Sequence, residues 1–332
     1  MQIINLEAEE AASSRGALDL LSHYAFLADD WPGADPGETA HEVLAGLAPK
    51  APLWAVLEAE GWQWLAGLER LEFDSHLFGW PMARILPLAH RLPWPDPTAL
   101  SQGRQLLQAL LKKADEEKIA FISARVPARD FSGAQALESC GFYLVDLSVE
   151  WMVDLKKPPA KRPLPPHIAL RTWRPEDKEA LADLAAEAFC DLFAYADRFA
   201  LDPRLRGQCG ILYRRWTANS LSGDQADQVF VLEADNLPMG FITLKLPPAG
   251  KGPRAHCGWV VLNAIHPRLR GQGLYRHLLI RGLGWLNKHG AQSVRVRTKV
   301  SQQNVINAFA GLGGRQVSAD LTFHLWLDQT RE

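Results

Sequence analysis

Apolar positions along this chain follow two periods, one near two and one near three and a half, and each change of period marks a new element. The run Trp259-Val260-Val261-Leu262-Asn263-Ala264-Ile265 is almost continuously apolar and reads as a buried strand that enters a polar turn, Pro267 to Gly273. Beyond the turn, Leu274, Leu278, Leu279, Leu283 and Leu286 recur at helical spacing until Gly290, which predicts an amphipathic helix. Residues 294–300 alternate strictly, the pattern of a strand with one buried face. A short helix from Gln302 is then closed by Gly313 and Gly314, and residues 315–327 supply the last strands. Upstream, Pro175 with Glu176 and Asp177 opens a helix that continues through Leu181, Leu184 and Ala188. A second helix is expected over 207–221, and 229–233 with 239–244 reads as a hairpin across a five-residue turn.

The same outline recurs earlier in the chain. A helix over 105–117, a strand over 121–126, a short helix ending in Gly141-Phe142 and strand material over 143–155 follow in the order seen at the other end, but no glycine-rich turn precedes them. Between the halves lies Lys156-Lys157-Pro158-Pro159-Ala160-Lys161-Arg162-Pro163-Leu164-Pro165-Pro166, too rich in proline for helix or sheet and expected to form an extended linker. The expected domains are therefore 1–155 and 167–332, joined by 156–166. Trp31, Trp54, Trp62 and Trp64 cluster without a spacing that names a ligand, so packing is their default role.

Pro267-Arg268-Leu269-Arg270-Gly271-Gln272-Gly273-Leu274-Tyr275 carries the chemistry. Its glycines strip side chains from a turn that runs into a helix start, where free backbone N–H groups and about half a positive charge favour an anion, and Arg270 adds a whole charge. A P-loop is excluded because no Lys-Ser or Lys-Thr closes a longer glycine loop. A dinucleotide fingerprint is excluded because Arg276 stands where a small residue must meet the sheet.

What remains resembles the GNAT N-acetyltransferases, whose Arg-x-x-Gly-x-Gly/Ala motif after a Val/Ile-rich strand binds the pyrophosphate of acetyl-CoA. Arg270-Gly271-Gln272-Gly273-Leu274 matches it, with a departure at Tyr275, and Gln302 to Gly314 resembles the short helix that follows in that family. The resemblance implies an α/β (α+β) fold: a C-terminal GNAT domain with a mixed, splayed sheet flanked by helices, and an N-terminal degenerate GNAT-like domain. It implies acetyl-CoA as co-substrate, held by Asn263, Ile265, Arg270, Gly271, Gln272, Gly273, Leu274, Tyr275, Gln302 and Asn304. It also implies transfer of acetyl to the primary amine of a small molecule. Residues 71–84 and the segments around Phe199 and Leu212 are similar to the dTDP-fucosamine acetyltransferases, which implies a nucleotide-linked amino sugar as acceptor and nominates Asp74, Tyr195 and Arg198.

Two roles that the resemblance implies lack their usual residues. The tyrosine that protonates the departing thiolate is replaced at the counted position by Phe309, and the strand position of a basic glutamate falls on Trp259 or its neighbours. Tyr275, His324 and His256 are the available substitutes, with packing roles expected for the first two and a strand start for the third. A catalytically weakened acyl-CoA-binding protein of the same fold is therefore the alternative function.

Composition narrows the rest. With 332 residues, 47% hydrophobic and 22% charged, the chain suits a soluble protein of two domains. Cys140, Cys190, Cys209 and Cys257 show no paired spacing, so neither a metal site nor a disulfide framework is expected. The first ten residues lack the basic and apolar regions of a signal peptide and no run reaches a membrane span, so a cytoplasmic protein without a membrane partner is expected. The formal charge of −2 and the phosphate-binding role of the arginines argue against nucleic acid. A homodimer is compatible with all of this.

Overall fold

A computed structural model of the chain describes residues 2–327 apart from 7–9, 11–13, 25, 27–33, 48–51, 59–60, 92–95, 157–162, 193–194 and 251–252. Most of the expected linker and Trp31 lie outside the described residues. Two compact units emerge: residues 1–148 with 318–332, and residues 149–317. These bounds differ from the expected 155 and 167. The proline-rich stretch is not where the sheets part company, because the chain enters the second unit within one strand and returns to the first within its last strand.

The first unit contains β1 (Gln2–Leu6), α1 (Arg15–His23), α2 (Pro36–Leu47), β2 (Leu53–Glu58), β3 (Gly61–Arg70), α3 (Glu72–Phe78), β4 (Met82–His90), α4 (Pro97–Glu116), β5 (Phe121–Pro127), α5 (Phe131–Ser139) and the start of β6 (Tyr143–Asp154). Its strands lie in the order β1-β2-β3-β4-β5, and residues 318–326 complete the sheet beside β5. All neighbours are antiparallel except β4 and β5. Trp54 and Trp64 are buried in its core with Leu106, Leu107 and Leu110 of α4, so the expected packing role holds for both. Asp130 is fully enclosed and fully used: Tyr24 Oη donates to it over 2.6 Å, His90 Nε2 bonds it at 2.7 Å, and the amide of Gly133 donates at 2.8 Å. Helix α4 begins with Pro97 and is capped by the Asp96 carboxylate, which accepts from the amide of Thr98. A protein carboxylate thus occupies the place where a bound anion would sit.

The second unit runs from the rest of β6 through β7 (Ile168–Thr172), α6 (Lys178–Cys190), α7 (Arg198–Leu201), α8 (Arg206–Leu221), β8 (Gln228–Ala234), β9 (Leu237–Lys245), β10 (Cys257–Ile265), α9 (Leu274–Lys288), β11 (Ser293–Lys299), α10 (Gln303–Ala310) and the start of β12 (Arg315–Trp326). The expected elements of this half are all present, except that residues 315–326 form one long strand rather than several. Strand order is β6-β11-β10-β9-β8-β7, with β10 and β11 parallel and β7 to β10 antiparallel. The five leucines of α9 read from the sequence are all buried, in one core with Ile242, Leu244, Val260, Val294 and Val296. At the other end of the sheet, Arg171 grips Asp177 through two hydrogen bonds of 2.7 and 2.8 Å and Glu233 through a third of 2.6 Å. Those contacts hold the Asp177 carboxyl below the usual carboxylate range and pin the entry to α6.

Strand β10 carries the irregularity that shapes the site. Its register against β9 jumps from Val260↔Leu244 to Asn263↔Ile242, so Val261 and Leu262 oppose the single residue Thr243. The Thr243 hydroxyl repairs the ladder, accepting from the amide of Leu262 at 2.8 Å and donating to its carbonyl at 3.3 Å. Parallel pairing with β11 covers only Cys257–Val260, so β10 leaves its neighbour where the bulge begins. Thr243 is completely buried. Replacing it with isosteric valine strands a buried amide and carbonyl, and chemical denaturation should show a loss of about 1–3 kcal/mol with an unchanged denaturant slope.

Candidate functional site

Strand β10 ends at Ile265, and the chain turns through Pro267–Leu269 into the start of α9. The His266 side chain caps this turn by accepting from the amide of Arg268. Gly271 and Gly273 then take φ values of +78° and +73°, a left-handed conformation that side chains resist. Nothing lies within 4 Å of where a Cβ would stand at either glycine, so their faces are open. Helix α9 has no side-chain cap at Gly273, which leaves its first amides directed at open space. An anion such as a pyrophosphate fits this arrangement.

The two left-handed glycines also fix the register of the motif. Arg268 stands three residues before Gly271, so Arg268-x-x-Gly271-x-Gly273 is complete and Tyr275 falls outside it. Arg268 is exposed at the turn, whereas Arg270 folds back, with Nε donating to the carbonyl of Ile265 at 3.2 Å and its guanidinium 4.9 Å from the ring centre of Tyr195. Gln272 braces the turn through a 3.1 Å bond to the carbonyl of Arg268, and Arg276 ties α9 to the end of α10 through the carbonyl of Gly311. Leu274 is buried in the core.

Tyr275 is half-buried, and its hydroxyl is shut off from solvent without a hydrogen-bond partner. Burial, with a smaller contribution from Tyr195, pushes its phenol above the ordinary range, so it stays protonated. Asn263 and Ile265 lie on the part of β10 beyond the last β11 pair, both half-buried. Gln302 is buried at the start of α10, and Asn304 is exposed one turn on. Phe309 is 0% exposed and belongs to the core with Leu274, Leu278 and Val305.

The acceptor candidates separate. Tyr195 lies beneath Arg270, and Arg198, at the start of α7, stands beside Asp197 and over the ring of Phe199. Asp74 is on α3 of the first unit. His324 is fully buried there against Phe121, as a packing residue, and His256 immediately precedes β10.

Sequence reading missed an open groove of about 310 Å³ lined by Gln225, Lys245, Trp259, Val260, Val261 and Arg297. Glu150 of β6 lies 2% exposed and is shared by two arginines of β11. It pairs with Nη1 of the buried Arg295 and accepts from Nη2 of Arg297 at 3.0 Å. Lys245 at the rim is balanced by Asp227, 3.3 Å away. Among the described residues, no group of three or more His, Cys, Asp or Glu is placed to hold a metal ion, and no helix is long and apolar enough to cross a membrane.

The architecture has solved counterparts. A GCN5-related N-acetyltransferase from Sphaerobacter thermophilus superposes with a TM-score of 0.66 at 17% identity, over 98% of this chain and 95% of that one. The fold is the GNAT fold. The model of the acetyltransferase (GNAT) family matches residues 201–313, from the helices before β8 to the end of α10, about a third of the chain. Two curated relatives extend further. The spore coat polysaccharide biosynthesis protein SpsD of Bacillus subtilis is 23% identical over 68% of this chain and 73% of its own length. The mycothiol acetyltransferase of Acidothermus cellulolyticus is 27% identical over 71% of each.

Gly273 separates the phosphate role of the GNAT turn from its role in folding. Asparagine tolerates the left-handed conformation, so Gly273→Asn should bind CoA within a few-fold of wild type. Gly273→Glu places a carboxylate on the open face. Calorimetry should show CoA affinity reduced at least about ten-fold, or 1.4 kcal/mol, in a protein whose circular dichroism is unchanged.

Proposed function

We propose that this chain is an N-acetyltransferase that moves acetyl from acetyl-CoA to the primary amine of a small molecule. The observation that carries the reading is the uncapped turn with two left-handed glycines at the end of a strand whose parallel partner is released after four residues. The turn offers amides to the pyrophosphate, and the freed edge of β10, at Asn263 and Ile265, offers backbone groups to the pantetheine arm and the thioester carbonyl. The amine nitrogen attacks that carbonyl, the C–S bond breaks, the amine gives up a proton, and the thiolate takes one. The match to the family model over this segment supports the same reading.

A nucleotide-linked amino sugar is the acceptor class we favour. It rests on the resemblance of residues 71–84 and 199–216 to enzymes of that kind, and the name of the Bacillus subtilis relative, a polysaccharide biosynthesis protein, agrees with a sugar. Tyr195 and Arg198 are retained as acceptor-side residues because Tyr195 adjoins Arg270 of the turn. Asp74 rests on sequence resemblance alone. The first unit is assigned no acyl-CoA of its own, since Asp96 caps the corresponding helix.

Thiol release from acetyl-CoA with a panel of primary amines, amino sugars and sugar nucleotides among them, tests the activity. Turnover with at least one amine is expected. CoA binding with no turnover on any amine would instead favour the weakened acyl-CoA-binding protein.

We infer that α10 supplies no acid to the thiolate. Phe309 is enclosed in the apolar core, and a free thiol with a pKa of roughly 8.5 is already a tolerable leaving group. Phe309→Tyr should therefore cost about 1–3 kcal/mol of stability by burying a hydroxyl without a partner. Its turnover should stay within about ten-fold of wild type, whereas a gain of roughly 100-fold or more, the scale of a positioned general acid, would put this ring beside the sulfur after all.

A further inference from the structure

We propose that the acceptor amine carries an anionic group, a phosphate or a carboxylate, and that Arg297 seats it in the groove along β9, β10 and β11. The inference rests on the acetyltransferase reading and names the class of its second substrate. Three observations point to an anion. Glu150 holds two arginines, so the three side chains together carry one net positive charge at the floor of the groove. Arg295 is 1% exposed and Glu150 2%, while Arg297 is 32% exposed and lines the groove, so the excess charge meets solvent at Arg297. The other cation on the wall, Lys245, is already matched by Asp227.

The arrangement is costly unless it is used. Burying Arg295 and Glu150 carries a desolvation penalty that their attraction only partly repays. What it secures is a guanidinium held by its Nη2 in a fixed plane, the geometry that recognises planar or tetrahedral oxyanions. Trp259 supplies a flat apolar wall beside it. A cation facing the acceptor also lowers the pKa of an incoming ammonium, which raises the fraction of neutral amine able to attack.

Matched acceptors test the proposal with the full-length protein and saturating acetyl-CoA: glucosamine 6-phosphate against glucosamine, and β-alanine against β-alaninamide. In at least one pair the charged member should be preferred by about ten-fold or more in kcat/KM, and the pair that responds tells phosphate from carboxylate. Arg297→Gln keeps an N–H for Glu150 but loses the charge, and should bring that ratio to within about two-fold, chiefly through KM. Arg297→Lys should restore part of it. Equal ratios in wild type and Arg297→Gln, or preference for the neutral member in both pairs, would overturn the proposal. If no amine is acetylated, the transferase reading fails, and calorimetry of glucosamine 6-phosphate and β-alanine with the CoA-loaded protein decides the anion site alone. Binding that disappears in Arg297→Gln upholds it, and binding of neither probe refutes it.

Discussion

Four parallel pairs, Cys257 to Val260 against Ser293 to Val296, are the whole extent of the β10–β11 ladder, and the site depends on their stopping there. A strand that leaves its neighbour exposes backbone groups that must find other partners or cost free energy. On the β9 side the extra residue of the bulge is accommodated by one hydroxyl, Thr243, which serves both the amide and the carbonyl of Leu262. On the β11 side the groups beyond Val260 are left to a ligand. The same strand, five residues on, delivers the chain to the glycine turn, so one irregularity sets both the opening for an acyl arm and the position of its phosphates.

Charge follows the same economy. In the second unit two carboxylates are buried against arginine, and each does more than balance a charge. Asp177 joins Arg171 to the backbone at Arg174 and fixes where α6 begins. Glu150 joins two arginines of one strand and leaves a surplus that emerges at a groove. Such pairs add little net stability over apolar packing, and their value lies in geometry.

Much of this was legible in the chain. The leucine spacing of α9 and the glycines of its turn require only local pattern, because the periodicity of a helix and the conformational demand of a left-handed turn are properties of a few consecutive residues. Three features were not readable in that way. Arg268 and Arg270 both precede the glycines, and only the left-handed φ of Gly271 and Gly273 shows which one completes the motif. Phe309 could be counted into a catalytic position, yet its spacing from Val305 puts both on one helix face, and both are buried. Arg295 sits among alternating polar residues of a strand, where solvent is the natural expectation. Its burial depends on Glu150, 145 positions away, and no local pattern announces that.

The division of strands between the units has a kinetic consequence. The sheet of the first unit is finished by residues 318–326 pairing with β5, nearly two hundred positions after it, while residues 149–154 of the strand following α5 go to the second unit. Closing so long a loop must precede any reward from the contacts it brings together, which raises contact order and slows folding. As the polypeptide leaves the ribosome, the earlier unit must wait with β5 unpaired on one edge until the later one has been made. An open strand edge invites pairing with other chains during that interval. Assembly of the amino-terminal half is thus tied to completion of the carboxy-terminal half, and a premature stop anywhere after α5 compromises both.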